Sequence, residues 1–336
     1  MTTEYVIQPL GSGDTSEKPI KLGGALFTLV EPHKGREVEY NRWYERDHFY
    51  AGCMIGAWTV SGGRFVATRA CKEKRYPSDS PITPDPMVGS FLALYWILAG
   101  RFGEWMKWGT EQVNWLHANN RMFSERDHIH TLMYKFLDEQ HALPHGVPAE
   151  LALDHHFPGL VAVIGELADG KTHDDVVAWF GGRPCPAEVM TAFTPVPLFQ
   201  DAPSDVPRNE ETDRFLQLYF LDEDPLEVFD DRFGGLGKDF EGSGLGRILF
   251  VSPFLATVPG TDRYADELRK PHPARLPPST PGYDAIVAAH EKAIVEHESG
   301  YIDPVTGLFV MTAAYLWERG ECCDSGCRHC PYVPRT

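Results

Sequence analysis

Four of the seven cysteines stand within nine residues, as Cys322, Cys323, Cys327 and Cys330. Half-cystines so close in sequence close short loops and gain little stability. The adjacent Cys322 and Cys323 cannot join each other without straining their shared peptide. Ligation of a soft metal uses all four. The spacing C-C-x3-C-x2-C, with His329 inside the last pair, offers enough donors for a tetrahedral zinc or an iron–sulfur centre. Two competing readings are a reduced, partly buried cluster that ligates nothing and a redox-active tail.

A second set of titratable residues lies far upstream. Over 37–50, Tyr40, Trp43, Tyr44 and Asp47 or His48 fall at helical spacing, which sets His48 one turn after Tyr44 among aromatic side chains. Histidine titrates near neutrality, so His48 is the first candidate for a general base or acid, with Asp47 or Tyr44 to orient it. At a helix end the same residue can instead cap the last carbonyls, where its charge suits the helix dipole. Glu125, Arg126, Asp127 and His128 repeat the letters of Glu45, Arg46, Asp47 and His48. On a strand His128 and His130 would share one face, a pair suited to metal but without a third ligand by spacing. Asp154, His155 and His156 sit in a loop before Pro158 and lack partners in the same way. Trp105, Trp108 and Trp115 repeat along one helical face, a pattern that usually marks core. If the interior between sheets is hollow, such tryptophans, with Trp43, Tyr95, Phe91, Tyr219 and Phe220, line an apolar pocket for a ring-bearing molecule. The glycine-rich runs 234–237 and 242–246 follow a helix and precede a strand. That reverses the strand–loop–helix order of a phosphate loop, so no nucleotide is expected.

The background is that of a globular chain. Its 336 residues are 43% hydrophobic and 24% charged, room for about two domains and a large core. Thirty-one Lys and Arg against 48 Asp and Glu give a net charge of −17. That charge repels phosphate backbones and anionic lipid, so neither nucleic acid nor membrane is an expected partner. The first residues lack the basic and apolar regions of a signal peptide, the longest apolar run, 90–99, is too short to span a bilayer, and Cys53, Cys71 and Cys185 stand singly. A cytoplasmic monomer or homodimer is expected.

The elements that must position these residues follow from periodicity. A turn-rich tail (1–20) precedes a buried strand at 24–30, the aromatic helix 37–50, and strand material at 54–60 and 63–69 broken by a Gly62-Gly63 turn. A strand at 91–98, a helix at 102–117 and a strand at 129–136 complete a β-α-β-β-α-β unit, the ferredoxin-like split order. The order then repeats: strand 159–167, helix 172–180 with Thr172 as N-cap, strands 187–199 and 215–221, helix 225–240 with Pro at its first turn, strand 246–258. The expected fold is therefore α+β: ferredoxin-like domains at 21–145 and 150–268, a Pro-rich linker at 269–282 and a Cys-rich module at 283–336. Within the module, 283–297 reads as a helix.

Two resemblances add to this. Tyr301, Asp303, Pro304 and Gly307, then Thr312, Arg319, Gly320 and the run from Cys322 to Tyr332, resemble a small domain family of unknown function ending in C-C-x-x-G-C-R-H-C-P-Y. The likeness covers about 283–332 and names a module without naming a reaction. The stretch 39–48, followed by Gly56, Arg64 and Phe65, is similar to the dimeric α/β-barrel superfamily, especially its EthD-like members, which carry an aromatic first helix ending in a histidine near a cleft. That resemblance implies a pseudo-dimer within one chain. It also implies a small-molecule enzyme, acting on a hydrophobic aromatic or polycyclic substrate by proton transfer or cofactor-free oxygenation. A ligand carrier with a structural zinc tail, and a redox or metal-trafficking protein, are the rival expectations.

Overall fold

The computed structural model describes residues 20–208 and 210–332; the expected tail lies outside them except for Ile20. Strand β1 (Leu22–Pro32) leads into helix α1 (Glu37–Trp43), which widens without a break into a π-helical segment (Tyr44–Met54). Strand β2 (Thr59–Val66), a short helix α2 (Arg69–Glu73), strand β3 (Phe91–Leu98), helix α3 (Phe102–Ala118) and strand β4 (Arg126–His141) complete the first unit. The second repeats the plan with β5 (Gly159–Leu167), α4 (His173–Gly181), β6 (Val189–Val196), β7 (Arg214–Leu221), α5 (Pro225–Phe233), α6 (Leu236–Gly242) and β8 (Gly246–Ala256).

Within each unit the strand order is the ferredoxin-like one, β4-β1-β3-β2 and β8-β5-β7-β6. Antiparallel pairing of β2 with β8 and of β4 with β6 closes the two sheets into one eight-stranded barrel. The expected tandem of ferredoxin-like units is thus a single closed sheet, and closure removes the free edges that each half would expose. Local chemistry agrees with the element order. Thr172 and Asp175 form a reciprocal capping box at the start of α4, and Asp224 caps α5 with Pro225 at its first position.

The interior between the sheets is filled rather than hollow, so no ring-bearing ligand is accommodated inside the barrel. Trp96 on β3 meets Phe193 on β6 (5.6 Å between ring centroids) and Phe220 on β7 (6.2 Å), strands that do not neighbour it in the sheet, so these rings cross the barrel. Phe27 and Tyr134 pack edge to face beside them. The Trp96 indole donates to the Ala149 carbonyl (2.9 Å), in the short 3-10 turn that follows β4. Tyr219 instead faces outward onto Phe233. Helices cover the outside, which is why β3 reads as an unbroken apolar run, seven of its eight residues being buried.

Three expected elements differ. Residues 54–58 are not strand, and β2 runs straight through Gly62 and Gly63. Those glycines mark close approach rather than a turn: a Cβ on Gly62 would stand 2.6 Å from the Met54 sulfur and 3.0 Å from the Tyr95 ring. The expected helix 225–240 breaks into α5 and α6 at Gly234 and Gly235. The strand expected over 187–199 is confined to Val189–Val196.

After the barrel come α7 (Ala265–Arg269), α8 (Tyr283–Val295), the two-stranded β9 (Gly300–Ile302) and β10 (Phe309–Met311), and α9 (Ala313–Trp317). Leu276, within the Pro-rich stretch, is buried with Ile286, Ala293 and Tyr301, so this stretch is packed into the module's own core. The module rests on the loop after β1: Arg36 meets the His297 ring (3.0 Å), His33 lies 5.2 Å from Trp317, and Gly35 faces the end of Ile294. No helix among the described residues is long and apolar enough to cross a membrane.

Candidate functional site

A cavity of about 850 Å³, its open mouth included, lies outside the barrel, between the sheet of the first unit and the elements that cover it. Its floor is Leu26, Thr28 and Val30 of β1 with Thr131 and Met133 of β4. Helix α3 supplies Trp105, Met106, Thr110 and Val113, and the π-helical segment supplies Tyr44, His48, Gly52 and Cys53. The loop between β6 and β7, which belongs to the second unit, closes one side with Leu198, Phe199, Pro203 and Asp205. Two neighbours along β1, Phe27 and Leu29, point the other way into the core, as strand alternation requires.

The polar groups gather at one end. His48 is half-buried, stacked on the Trp43 indole (4.7 Å between centroids) and edge-on to Tyr44 (5.1 Å). Its Nδ1 has no hydrogen-bond partner among the described residues. Burial pushes its pKa down to about 3, with Arg126 adding to the effect, so the imidazole is neutral at pH 7. His128 is held down to about 4 by burial and Arg126, against the opposing pull of Asp205. Its Nδ1 meets the Thr131 hydroxyl (2.8 Å), which in turn meets Thr28 (2.8 Å). Asp205 ties the group together, 3.1 Å from the Arg126 guanidinium and 3.4 Å from His117.

His128 reaches this cavity because β4 is bulged. Leu29 pairs with His130 but Val30 pairs with His128, so Ile129 is the extra residue. The bulge turns His128 to the side of Thr131, while His130 faces the core against Phe27 and meets the Tyr134 hydroxyl (2.8 Å). The two histidines therefore do not form the pair on one face that simple alternation predicts.

The other expected site residues fall as follows. Tyr44 and Trp105 line the cavity with His48. Tyr44 bonds Tyr95 through their hydroxyls (3.0 Å) behind the cavity wall, and burial pushes both phenols well above their ordinary range. Trp43 backs His48, and Trp108 packs against Gly56, where a Cβ would stand 2.3 Å from its ring. Trp115 is exposed, so the three tryptophans of α3 do not share one buried face. Asp47 does not orient His48: it is ion-paired with Arg121, and the Nδ1 of His48 is unbonded. His48 does not cap a helix either, since it lies inside the π-helical segment. Asp154 bonds Ser61 (2.7 Å) and His155 lies 3.7 Å from Asp222, so that loop is engaged in surface pairs. Sequence reasoning missed Arg126, His117 and Asp205 as parts of one site. Arg126 carried a signal in the repeated Glu-Arg-Asp-His letters, whereas Asp205 sits in a Pro- and Asp-rich loop that reads as a connector.

The cysteines come together as pairs. Cys322 and Cys330 are 3.7 Å apart at sulfur, with Arg275 3.5 Å from Cys322. Cys323 is exposed, and its bonds to Ser325 pull its thiol down to about 7. His329 is turned from the thiols: its Nε2 meets the Tyr301 hydroxyl (2.7 Å) and its ring stacks on His290 (3.7 Å). Among the described residues, no three His, Cys, Asp or Glu side chains are arranged to hold a metal ion.

Residues 289–336 match the model of a family of unknown function, DUF5522. Among solved structures, the chain is similar to an anthrone oxidase-like protein (9% identity, TM-score 0.42), covering 71% of this chain and 95% of that one. It is also similar to a protein described as a putative monooxygenase from Lactobacillus acidophilus NCFM (9% identity, TM-score 0.34), covering 69% of this chain and 94% of that one. At these values no reaction is carried over; the barrel assignment rests on the strand order above.

Proposed function

We propose that the chain is a small-molecule enzyme that takes a proton from a hydrophobic, ring-bearing substrate, with His48 as the base. The observation that carries this reading is a neutral, half-buried imidazole on the wall of a cavity that is apolar except at the end where it sits. Apolar walls desolvate a ring, and the few polar groups at one end fix its orientation. A C–H proton passes to His48, and the bond's electron pair stays on the substrate as an enolate-like anion. The guanidinium of Arg126, on the same cavity wall, stabilises that charge. Burial and Arg126 hold the imidazole low, and the developing negative charge opposes both, so proton acceptance is favoured as the anion forms. The imidazolium can return the proton to another atom, which is an isomerisation. Alternatively the anion gives its electrons to dioxygen, forming a C–O bond and a hydroperoxide that takes the same proton, with no external reductant.

The shared step is testable without the natural substrate. Ring opening of 5-nitrobenzisoxazole reports a base in an apolar cavity. The wild-type chain should accelerate it, and His48→Ala should lose on the order of a hundredfold. Because His48 titrates at about 3, the rate should stay flat between about pH 5 and 8. No acceleration over buffer, or equal rates for His48→Ala, would remove this assignment.

A further inference from the structure

Where the Cys-rich end meets the barrel, a second cavity opens, of about 1170 Å³ with its mouth included. It shares no lining residue with the first. The chain carries a net charge of −17, yet five cationic side chains line this space against three carboxylates, Glu31, Asp85 and Glu267. One cation is already satisfied. The Lys72 ammonium donates to the Met87 carbonyl (2.7 Å) and the Ser90 hydroxyl (2.6 Å) and sits 3.5 Å from Glu31, so that pair cancels internally.

The rest are poorly matched. Arg269 has only 8% of its side chain exposed, and among the described residues its Nε and Nη2 make no hydrogen bond and its nearest ion-pair contact is Glu39 at 3.8 Å. Arg69 makes no hydrogen bond and no ion pair among the described residues, with Glu73 and Glu267 acting on it only at longer range. Lys34 reaches Glu31 and Glu37 only at 3.9 and 4.0 Å. His329, 2% exposed, lines the same space, and its Nδ1 has no hydrogen-bond partner among the described residues. Buried donors of this kind cost free energy unless an acceptor meets them. Trp317 and Tyr332, stacked at 6.0 Å, form the apolar side of the same cavity.

We propose that this cavity binds a small molecule bearing a phosphate or carboxylate group, held by Arg69, Arg269 and Lys34, with its apolar part against Trp317 and Tyr332. Planar guanidinium groups match both kinds of oxyanion. The probes are phenyl phosphate, benzoate and inorganic phosphate, titrated calorimetrically into the full chain at low ionic strength. An aromatic oxyanion should bind with a Kd below about 1 mM. Arg69→Gln and Arg269→Gln should each weaken it about tenfold or more, while both keep the wild-type near-ultraviolet dichroism and benzisoxazole rate. Tighter phenyl phosphate identifies a phosphate ligand, and tighter benzoate a carboxylate. Arg69, half-buried and with no hydrogen bond or ion pair to lose among the described residues, serves as the decisive variant if Arg269→Gln does not fold. No saturable heat from either aromatic anion, or binding that Arg69→Gln leaves unchanged, overturns the proposal. So does inorganic phosphate binding as tightly as both aromatic anions.

Discussion

His130 sits in the barrel core, 3% exposed, with its Nε2 against the Tyr134 hydroxyl, and burial pushes its pKa down from 6.5 to about 3. The unfolded chain binds this proton below 6.5 and the native chain does not. Its stabilising contribution is therefore complete above 6.5 and is lost as the pH falls toward 3. At pH 5 the loss is roughly 2 kcal/mol, at about 1.4 kcal/mol per unit. His48, His128, His290 and His329 are displaced in the same direction, so acid should destabilise the protein steeply. Denaturant midpoints between pH 7 and 5 should show this slope, and His130→Phe should flatten it by about 2 kcal/mol; an unchanged slope would mean that His130 is charged in the fold. The candidate base itself was legible in the sequence, because aromatic residues at helical spacing announce what surrounds His48. The partners were not. Asp47 is adjacent in sequence but drawn off by Arg121, and the side to which His128 turns depends on one bulged residue that leaves no mark in the letters.

The π-helical segment Tyr44–Met54 is the element on which the first cavity depends, and wide turns of this kind recur at functional sites. Helical spacing predicted a helix here but could not tell a π-turn from an α-turn, since both set Tyr44 and His48 on one side. Gly52 is the position where the difference matters. A Cβ there would stand 2.8 Å from His48 Cε1 and 3.1 Å from both ring nitrogens, and the ring cannot retreat because Trp43 stacks behind it. Gly52→Ala should therefore displace the imidazole and lower benzisoxazole turnover by about tenfold. Gly103→Ala on α3, which meets nothing within 4 Å, is the control and should leave the rate unchanged. Equal rates for the two variants would show that the position of His48 does not matter. The same close approach explains the misread β2: glycines within a strand look like a turn when the side chains that crowd them, here Met54 and Tyr95, lie elsewhere in the sequence.

The order of elements, and with it the two ferredoxin-like units, was legible because strand and helix periods differ along the chain. Closure into one barrel was not, since it is decided by which strand edges meet. The two seams are unequal. β4 and β6 pair through eight residues on each strand across a bulge, whereas β2 and β8 pair through only two. What unites the halves is the interior, where Trp96 of the first unit packs on Phe193 and Phe220 of the second. A first unit on its own would bare that ring and leave β2 and β4 as open edges, a template for pairing with another chain. Residues 20–145 expressed alone should therefore self-associate in sedimentation, or be rapidly proteolysed. In a full chain nicked between the units, the β4–β6 seam and the shared core should hold the halves together. A stable, native-like monomer from the first unit would contradict a shared interior. It would also detach the first cavity from the loop that carries Asp205, because that loop belongs to the second unit and closes the site only when the barrel is whole.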